Sequence, residues 1–384
     1  MSEFIGHECG VAALYLLDES PSPAEETPIT NDDVMPLVPG MLLDLQNRGQ
    51  LAAGVSTYNP LRAQLIDTHK DTGTVSEVFR MSSPDDARAL LREYAGRAAI
   101  GHTRYATTGA DDPRYSQPFE RHHGRLWKWF AFGFNGTLSN YAHLRDNLLS
   151  KQSYHFSLDT DTEIIMHMLA YHLRGDAPPD LVAVMRALAE AFDGAYCISF
   201  LDALGRMFVA RDPLGLRPMC YGVKGRLFGA ASESAALINL GFDEIHALRP
   251  GEMVLIEDGR LHTATFAPST RQARCFFEWV YFSSVASEID DLAVYHCRAN
   301  SGRRLAELED QGADGDSIVV PVPDTAKAAA DAFAYHMRLP CVEGLLRNRY
   351  VGRTFIQPDN NRQGRVGSKY TPMPSVLHGK RVFL

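Results

Sequence analysis

Cys9 heads the apolar stretch Gly10-Val11-Ala12-Ala13-Leu14-Tyr15-Leu16, behind a short polar segment running from Met1 to Glu8. If the bond after Glu8 is cut, Cys9 carries both a thiol and a free α-amine, whose reference pKa is about 7.7–8.0. Near neutral pH that amine can take the thiol's proton, so one residue supplies nucleophile and base. The alternative is a buried strand cysteine, since free cysteine is among the most buried residue types.

Four further stretches bear on the choice. GHTRYATTG (101–109) places Arg104 and Thr107 at a strand-end turn, where a guanidinium can grip a carboxylate through two parallel hydrogen bonds. FNGTLSN (134–140) offers the Asn135 side-chain amide beside the Gly136 backbone N–H, a pairing suited to an oxyanion hole. TDTE (160–163) puts Asp161 at a helix start, where its carboxylate can meet an ammonium. NRGQLAAG (47–54) places Arg48 at a helix end. Each has a plain structural alternative: Asn-Gly makes turns, an acid in a first helical turn answers the helix dipole, and Arg48 can pair with a helix C-terminus.

The elements that must position these residues follow from periodicity and punctuation. A strand is predicted over Gly10–Leu17, then a loop over Ser20–Asp33 and a helix over about Leu37–Asn47 stopped by Gly49. Strands ending in turns are predicted at 98–104 and 129–134. The capping-box pattern at Thr160 opens a helix running to about Leu173. Leu181, Val184, Met185, Leu188 and Phe192 keep a helical period that ends at Gly194. Short strands follow at Tyr196–Leu201 and Met207–Ala210, and a hairpin turns at Asp258-Gly259. The polar segment from Phe266 to Arg274 marks a domain boundary. Beyond it, a helix over about Ala293–Glu309, a strand over Ser317–Pro323 and a helix over about Ala326–Met337 predict a parallel α/β domain.

The 384 residues suffice for two domains, and 45% hydrophobic with 22% charged residues is the balance of a soluble globular protein. A net charge of −9 excludes a nucleic-acid binder, which needs a basic face. The six cysteines (9, 197, 220, 275, 297 and 341) form no Cys-x-x-Cys pair and read as reduced thiols. The apolar run after Cys9 is too short to span a membrane, and neither a secretory signal nor a transmembrane helix is read. A cytoplasmic protein is expected.

Taken together and in this order, the motifs resemble the class II glutamine amidotransferases, which are N-terminal-nucleophile hydrolases, and within them the amidophosphoribosyltransferase family. RDPLGLRP (211–218), SESAAL (232–237), RPGE (249–252), FFEWVYFSSVASEIDDLAVYHCR (276–298), VVPVPD (319–324) and LLRNRYVGRTFIQP (345–358) carry that narrower likeness. The last of these sets it apart from the amidotransferase halves of hexosamine-phosphate and glutamate synthases. The resemblance implies an α+β chain. A four-layer αββα N-terminal-nucleophile domain would span residues 9–266, behind a leader, 1–8, that is removed. An incomplete α/β phosphoribosyltransferase-type domain would span 275–384.

It also implies roles. Cys9 would attack the glutamine side-chain amide, with Asn135 and Gly136 holding the oxyanion. Arg104 would hold the substrate α-carboxylate and Asp161 its α-ammonium, Tyr105 and Thr107 would shape the pocket, and Arg48 would close over it. Ammonia would then displace pyrophosphate from phosphoribosyl pyrophosphate, the first step of purine synthesis. That substrate would be covered by a loop containing Arg347, Asn348, Arg349, Tyr350, Arg353 and Thr354. Mg²⁺ would accompany it, purine nucleotides would regulate the enzyme, and the assembly would be a homo-oligomer.

Three departures stand out. Asn47 and Leu51 replace the usual His and acid around Arg-Gly-Gln. The far end of the arginine-rich loop, RQGRVGSKYTPMP (362–374), is divergent. The family's diphosphate-binding turn, expected just after Leu384, is absent, so a truncated form retaining only the glutaminase half is expected, with a non-catalytic remnant or regulatory binding protein as the alternative. Cys275 matches a position that ligates an iron–sulfur (4Fe–4S) cluster in cluster-bearing members. Its partner ligands would lie beyond Leu384, so no metal site is expected within this chain.

Overall fold

The computed structural model describes residues 9–20, 32–105, 112–151, 154–269, 271–348 and 369–384. The chain divides into two units, Met1–Cys275 and Phe276–Leu384.

Among the described residues, thirteen strands build the first unit. They are β1 (Gly10–Leu16), β2 (Ala52–Tyr58), β3 (Ile66–Thr72), β4 (Ala98–Arg104) and β5 (Phe119–Arg121). Next come β6 (Phe130–Leu138), β7 (Gly194–Asp202), β8 (Met207–Arg211) and β9 (Cys220–Lys224). The series ends with β10 (Leu227–Ala231), β11 (Ile245–Ala247), β12 (Glu252–Glu257) and β13 (Arg260–Thr265). One sheet runs β11-β9-β10-β1-β4-β2-β3 and the other β13-β12-β8-β7-β6-β5.

Side-chain alternation explains how the sheets stack. In β1, Val11, Ala13 and Tyr15 enter the core shared with Ala131, Cys197 and Val209 of the other sheet. Ala12, Leu14 and Leu16 point the other way, into a core shared with Met41 and Leu42 of the helix Val38–Asp44 and Leu237 of the helix Ser234–Asn239. A strand covered on both faces reads as an unbroken apolar run, which is why residues 10–16 show no alternation. In β6, Phe130, Phe132 and Phe134 pack on the helices Asp161–His172 and Leu181–Ala191. The opposite face carries Ala131, Gly133 and Asn135, small enough to let the sheets approach. Helix, sheet, sheet and helix make the four αββα layers that the sequence leads one to expect.

In the second unit the helices Val294–Leu308 and Lys327–Met337 pack together, and the strand Ser317–Val319 pairs in parallel with Arg381–Phe383. That is the α/β pattern expected, with a shorter first strand. Pro321 and Pro323 lack the N–H a ladder needs, so pairing stops before them. Arg298 is buried here and ties the unit's start to its long helix, donating to the carbonyls of Trp279 and Ser283 at 2.8 Å each.

Candidate active site

Register puts the reactive residues side by side. Gly10, the first residue of β1, lies opposite Thr103 of β4, so Cys9 sits against the end of β4 where Arg104 and Tyr105 follow. The Cys9 thiol faces the Tyr105 carbonyl at 3.7 Å and is only 3% exposed. Burial pushes its pKa up to about 11, against the opposing pull of the Tyr105 hydrogen bond and the Arg104 and Arg217 cations. The strand is clamped just beyond: Val11 N–H donates to Ser232 Oγ at 3.0 Å, and Ser232 N–H returns a bond to the Val11 carbonyl at 3.0 Å.

Cys9, Arg104, Tyr105, Gly136 and Asp161 all line one cavity of about 600 Å³. Arg104 is 6% exposed and its guanidinium lies 5.3 Å from the centroid of the Tyr115 ring, a cation–π contact that fixes the head group at the cavity wall. Asp161 opens the helix Asp161–His172, whose N-cap Thr160 accepts the Glu163 N–H at 3.3 Å. Only half of the predicted capping box forms. The Glu163 carboxylate turns instead to the N–H groups of Ser157 and Leu158, at 2.9 and 2.5 Å. Tyr115, Gln117 and Tyr141 also line the cavity, and no local signal in the sequence marks them.

The edge of β6 supplies the electrophilic side. β5 pairs with β6 only as far as Phe132, so beyond it the outer edge of β6 has no strand neighbour among the described residues. There Phe134 N–H donates to Gln117 Oε1 at 2.7 Å and Leu138 N–H to Asp161 Oδ2 at 3.3 Å. Gly136, halfway between, has the same parity, and its N–H is directed to that edge and the cavity. A Cβ on Gly136 would stand 1.9 Å from the Ala195 carbonyl oxygen, so no other residue fits. The Asn135 side chain stands on the face between the sheets, opposite Cys197 in register, the face that Val11 and Ala13 just beyond Cys9 also enter. It is fully buried, and among the described residues neither its amide nitrogen nor its amide oxygen has a hydrogen-bond partner.

Arg48 is placed differently from the expectation. It is not among the cavity-lining residues; its guanidinium donates to Glu233 Oε1 at 2.7 Å in a fully buried ion pair, which the Asn47 amide joins at 2.8 Å. The neighbouring Gly49 packs on β4: a Cβ there would lie 2.4 Å from the Arg104 carbonyl carbon, and Leu51 N–H donates to the Arg104 carbonyl at 3.2 Å. The segment around Arg48 therefore packs against the back of Arg104. Glu233→Ala strands a buried guanidinium and is expected to cost about 3–5 kcal/mol of stability. Chemical denaturation would measure it, and a loss below about 1 kcal/mol would mean that the pair is dispensable.

In the second unit, Arg347 pairs with Asp324 at 2.5 Å, and Asn348 N–H donates to the Lys369 carbonyl at 2.8 Å. Thr107, Arg349, Tyr350, Arg353 and Thr354 lie outside the described residues. Among the described residues no three His, Cys, Asp or Glu side chains gather to hold a metal ion, and Cys275 stands in no such group. No helix among them is long and apolar enough to cross a membrane.

Residues 61–249 match the family model described as a glutamine amidotransferase domain. An amidophosphoribosyltransferase of Methanothermobacter thermautotrophicus is 35% identical over 380 residues, 98% of this chain and 73% of that protein. The mouse amidophosphoribosyltransferase is 34% identical, covering 99% of this chain and 74% of its own length. Among solved structures, the glutamine phosphoribosylpyrophosphate amidotransferase of Bacillus subtilis, complexed with ADP and GMP, superposes with a TM-score of 0.79 at 30% identity, over 97% of this chain and 74% of that one.

Proposed function

This chain belongs to the amidophosphoribosyltransferase family, and from that membership we propose which of its residues carry each step. The family activity has two halves: glutamine is hydrolysed at an N-terminal cysteine, and the ammonia displaces pyrophosphate from phosphoribosyl pyrophosphate to give phosphoribosylamine, opening purine synthesis. The convergence of Cys9, Arg104, Gly136 and Asp161 on one cavity carries the residue assignment.

Glutamine enters with its α-carboxylate on Arg104 and its α-ammonium on Asp161, which aims the side-chain amide at Cys9. The Cys9 α-amine, free once residues 1–8 are removed, takes the thiol proton. Sγ then forms a bond to the amide carbon, and the carbonyl electron pair moves onto oxygen. The Gly136 N–H and the Asn135 amide donate to that oxyanion. Its collapse breaks the C–N bond, and the amine returns the proton to the leaving nitrogen, giving ammonia and a thioester. Water then attacks the thioester by the same route and releases glutamate. Tyr105 supports the thiol through its carbonyl and forms part of the cavity wall.

Glutamate release from glutamine by the purified protein is the test, with Cys9→Ser expected to abolish it. Turnover surviving in Cys9→Ser would overturn the assignment. Arg104→Lys keeps the charge but loses the planar fork, and is expected to raise KM for glutamine about 10–10²-fold with a smaller fall in kcat. Steady-state kinetics decides, and a fall confined to kcat would remove Arg104 from the carboxylate role.

For the second half, the loop bearing Arg347 and Asn348 is proposed to cover phosphoribosyl pyrophosphate. Mg²⁺, when bound, would arrive with the substrate's phosphates and neutralise charge on the departing pyrophosphate. An iron–sulfur cluster finds no ligand set among the described residues, and no step is drawn through one. Purine nucleotides as regulators, a homo-oligomer and a cytoplasmic setting complete the reading. The first is supported by the ADP and GMP in the B. subtilis complex; the other two rest on the family's pattern.

A further inference from the structure

The oxyanion donors sit on a strand that has lost its neighbour. Beyond Phe132 the outer edge of β6 is unpaired by β5, and a strand edge without a partner frays unless something else takes its hydrogen bonds. Two side chains do so at Phe134. Gln117 Oε1 accepts its N–H at 2.7 Å, and His102 Nε2 lies 3.1 Å from its carbonyl oxygen. That carbonyl belongs to the peptide bond leading into Asn135, and Gly136 is the next residue. His102 comes from β4 of the opposite sheet, two residues before Arg104, and is fully buried.

We propose that His102 is a positioning residue for the oxyanion hole, pinning the Phe134–Asn135 peptide while Gln117 pins the peptide before it, so that the Asn135 amide and the Gly136 N–H are held where the oxyanion forms.

Several features support this. A carbonyl oxygen accepts, so His102 Nε2 must carry a proton. The imidazole is therefore the Nε2–H tautomer, and its Nδ1 finds no partner among the described residues. Burial pulls its pKa down to about 3, which keeps the ring neutral. The imidazole packs beside Gly133, where a Cβ would stand 3.9 Å from His102 Cδ2, and from there it meets the next carbonyl.

The inference rests on Asn135 and Gly136 being the oxyanion donors, so the experiment carries Asn135→Ala as a control. His102→Leu, His102→Gln and Gln117→Met are compared in the full chain. The readouts are kcat and KM for glutamine and the affinity for the γ-aldehyde analogue of glutamine. That analogue adds the Cys9 thiol across its C=O and places the resulting oxygen in the hole, so that, beside KM for the contacts shared with glutamine, its affinity reports on the hole. His102→Leu is expected to lower kcat and aldehyde affinity together by about 10–10²-fold, with KM within about threefold, since a small misplacement of reacting groups costs that much. His102→Gln keeps an N–H donor at the same reach and is expected to recover most of both losses. If His102→Leu does not fold, Gln117→Met loosens the preceding peptide, on the other side of Phe134, and must show the same joint loss, smaller in size. The proposal fails if kcat falls while aldehyde affinity holds, or if Gln restores no more than Leu. It also fails if neither His102→Leu nor Gln117→Met changes either quantity. If Asn135→Ala itself leaves aldehyde affinity unchanged, the donor assignment fails instead, whatever the His102 variants do.

Discussion

Protein that keeps residues 1–8 is expected to hydrolyse glutamine about 10³-fold more slowly than protein beginning at Cys9. The reason is the thiol's environment. Cys9 is buried and its pKa is pushed up to about 11, so near pH 7.5 only about one thiol in several thousand is ionised. Among the described residues its hydrogen-bond partner is a backbone carbonyl, which cannot take a proton. While Glu8 remains attached, the Cys9 nitrogen is an amide and has no lone pair to offer. Cleavage turns it into an amine at bonding distance of the thiol's own residue, and positioned proton transfer of this kind contributes about 10²–10⁴-fold.

The same reasoning fixes a pH profile. The amine works only when neutral, so kcat/KM rises with pH through the amine's pKa and then levels off. The limb is expected near the amine's reference range of about 7.7–8.0. Intact mass measured on the same sample as activity checks the first point. Full turnover from chains that still begin at Met1, or a rate that climbs steadily towards pH 11, would show that the thiol ionises by another route.

What the sequence discloses here are the residues at strand ends and helix starts. Cys9, Arg104 and Asp161 each sit where an apolar run meets a turn or a cap, and such junctions are visible locally; Asn135 and Gly136 were expected at a turn after residue 134, but β6 runs on through them to Leu138 because their backbone pairs with β7. Their order along the chain carried the family resemblance. The partner of Arg48 was not visible, because Glu233 lies 185 residues away and only the docking of the helix Ser234–Asn239 brings it near. The strand Ala52–Tyr58 escaped notice because six of its seven positions are buried, leaving neither a polar face nor alternation. The two side chains on Phe134 were hidden for a different reason. Neither His102 nor Gln117 has a spacing that points to β6, and their task arises only where β5 stops. The position of Asn135 was legible, but the face it presents was not: it lies between the sheets, while Gly136 opens on the cavity.

That face leads to the sharpest expectation for Asn135→Ala: kcat for glutamine hydrolysis falls about 10²–10³-fold while the fold holds or gains stability. Losing one oxyanion donor costs a rate factor of that size, and it acts on kcat because the substrate's neutral carbonyl accepts the bond far more weakly than the tetrahedral oxyanion does. KM should move little, since the α-carboxylate and α-ammonium are gripped by Arg104 and Asp161. The stability half follows from burial. A fully buried amide with no partner at either atom costs the folded state about 1–3 kcal/mol, and alanine removes the unmet donor and acceptor together. A purely structural asparagine would behave in the opposite way, with stability falling and kcat per folded molecule preserved. Steady-state kinetics on Asn135→Ala beside its thermal unfolding midpoint separates the two. A lower midpoint with unchanged kcat would place Asn135 in the core and leave the Gly136 N–H to hold the oxyanion without it.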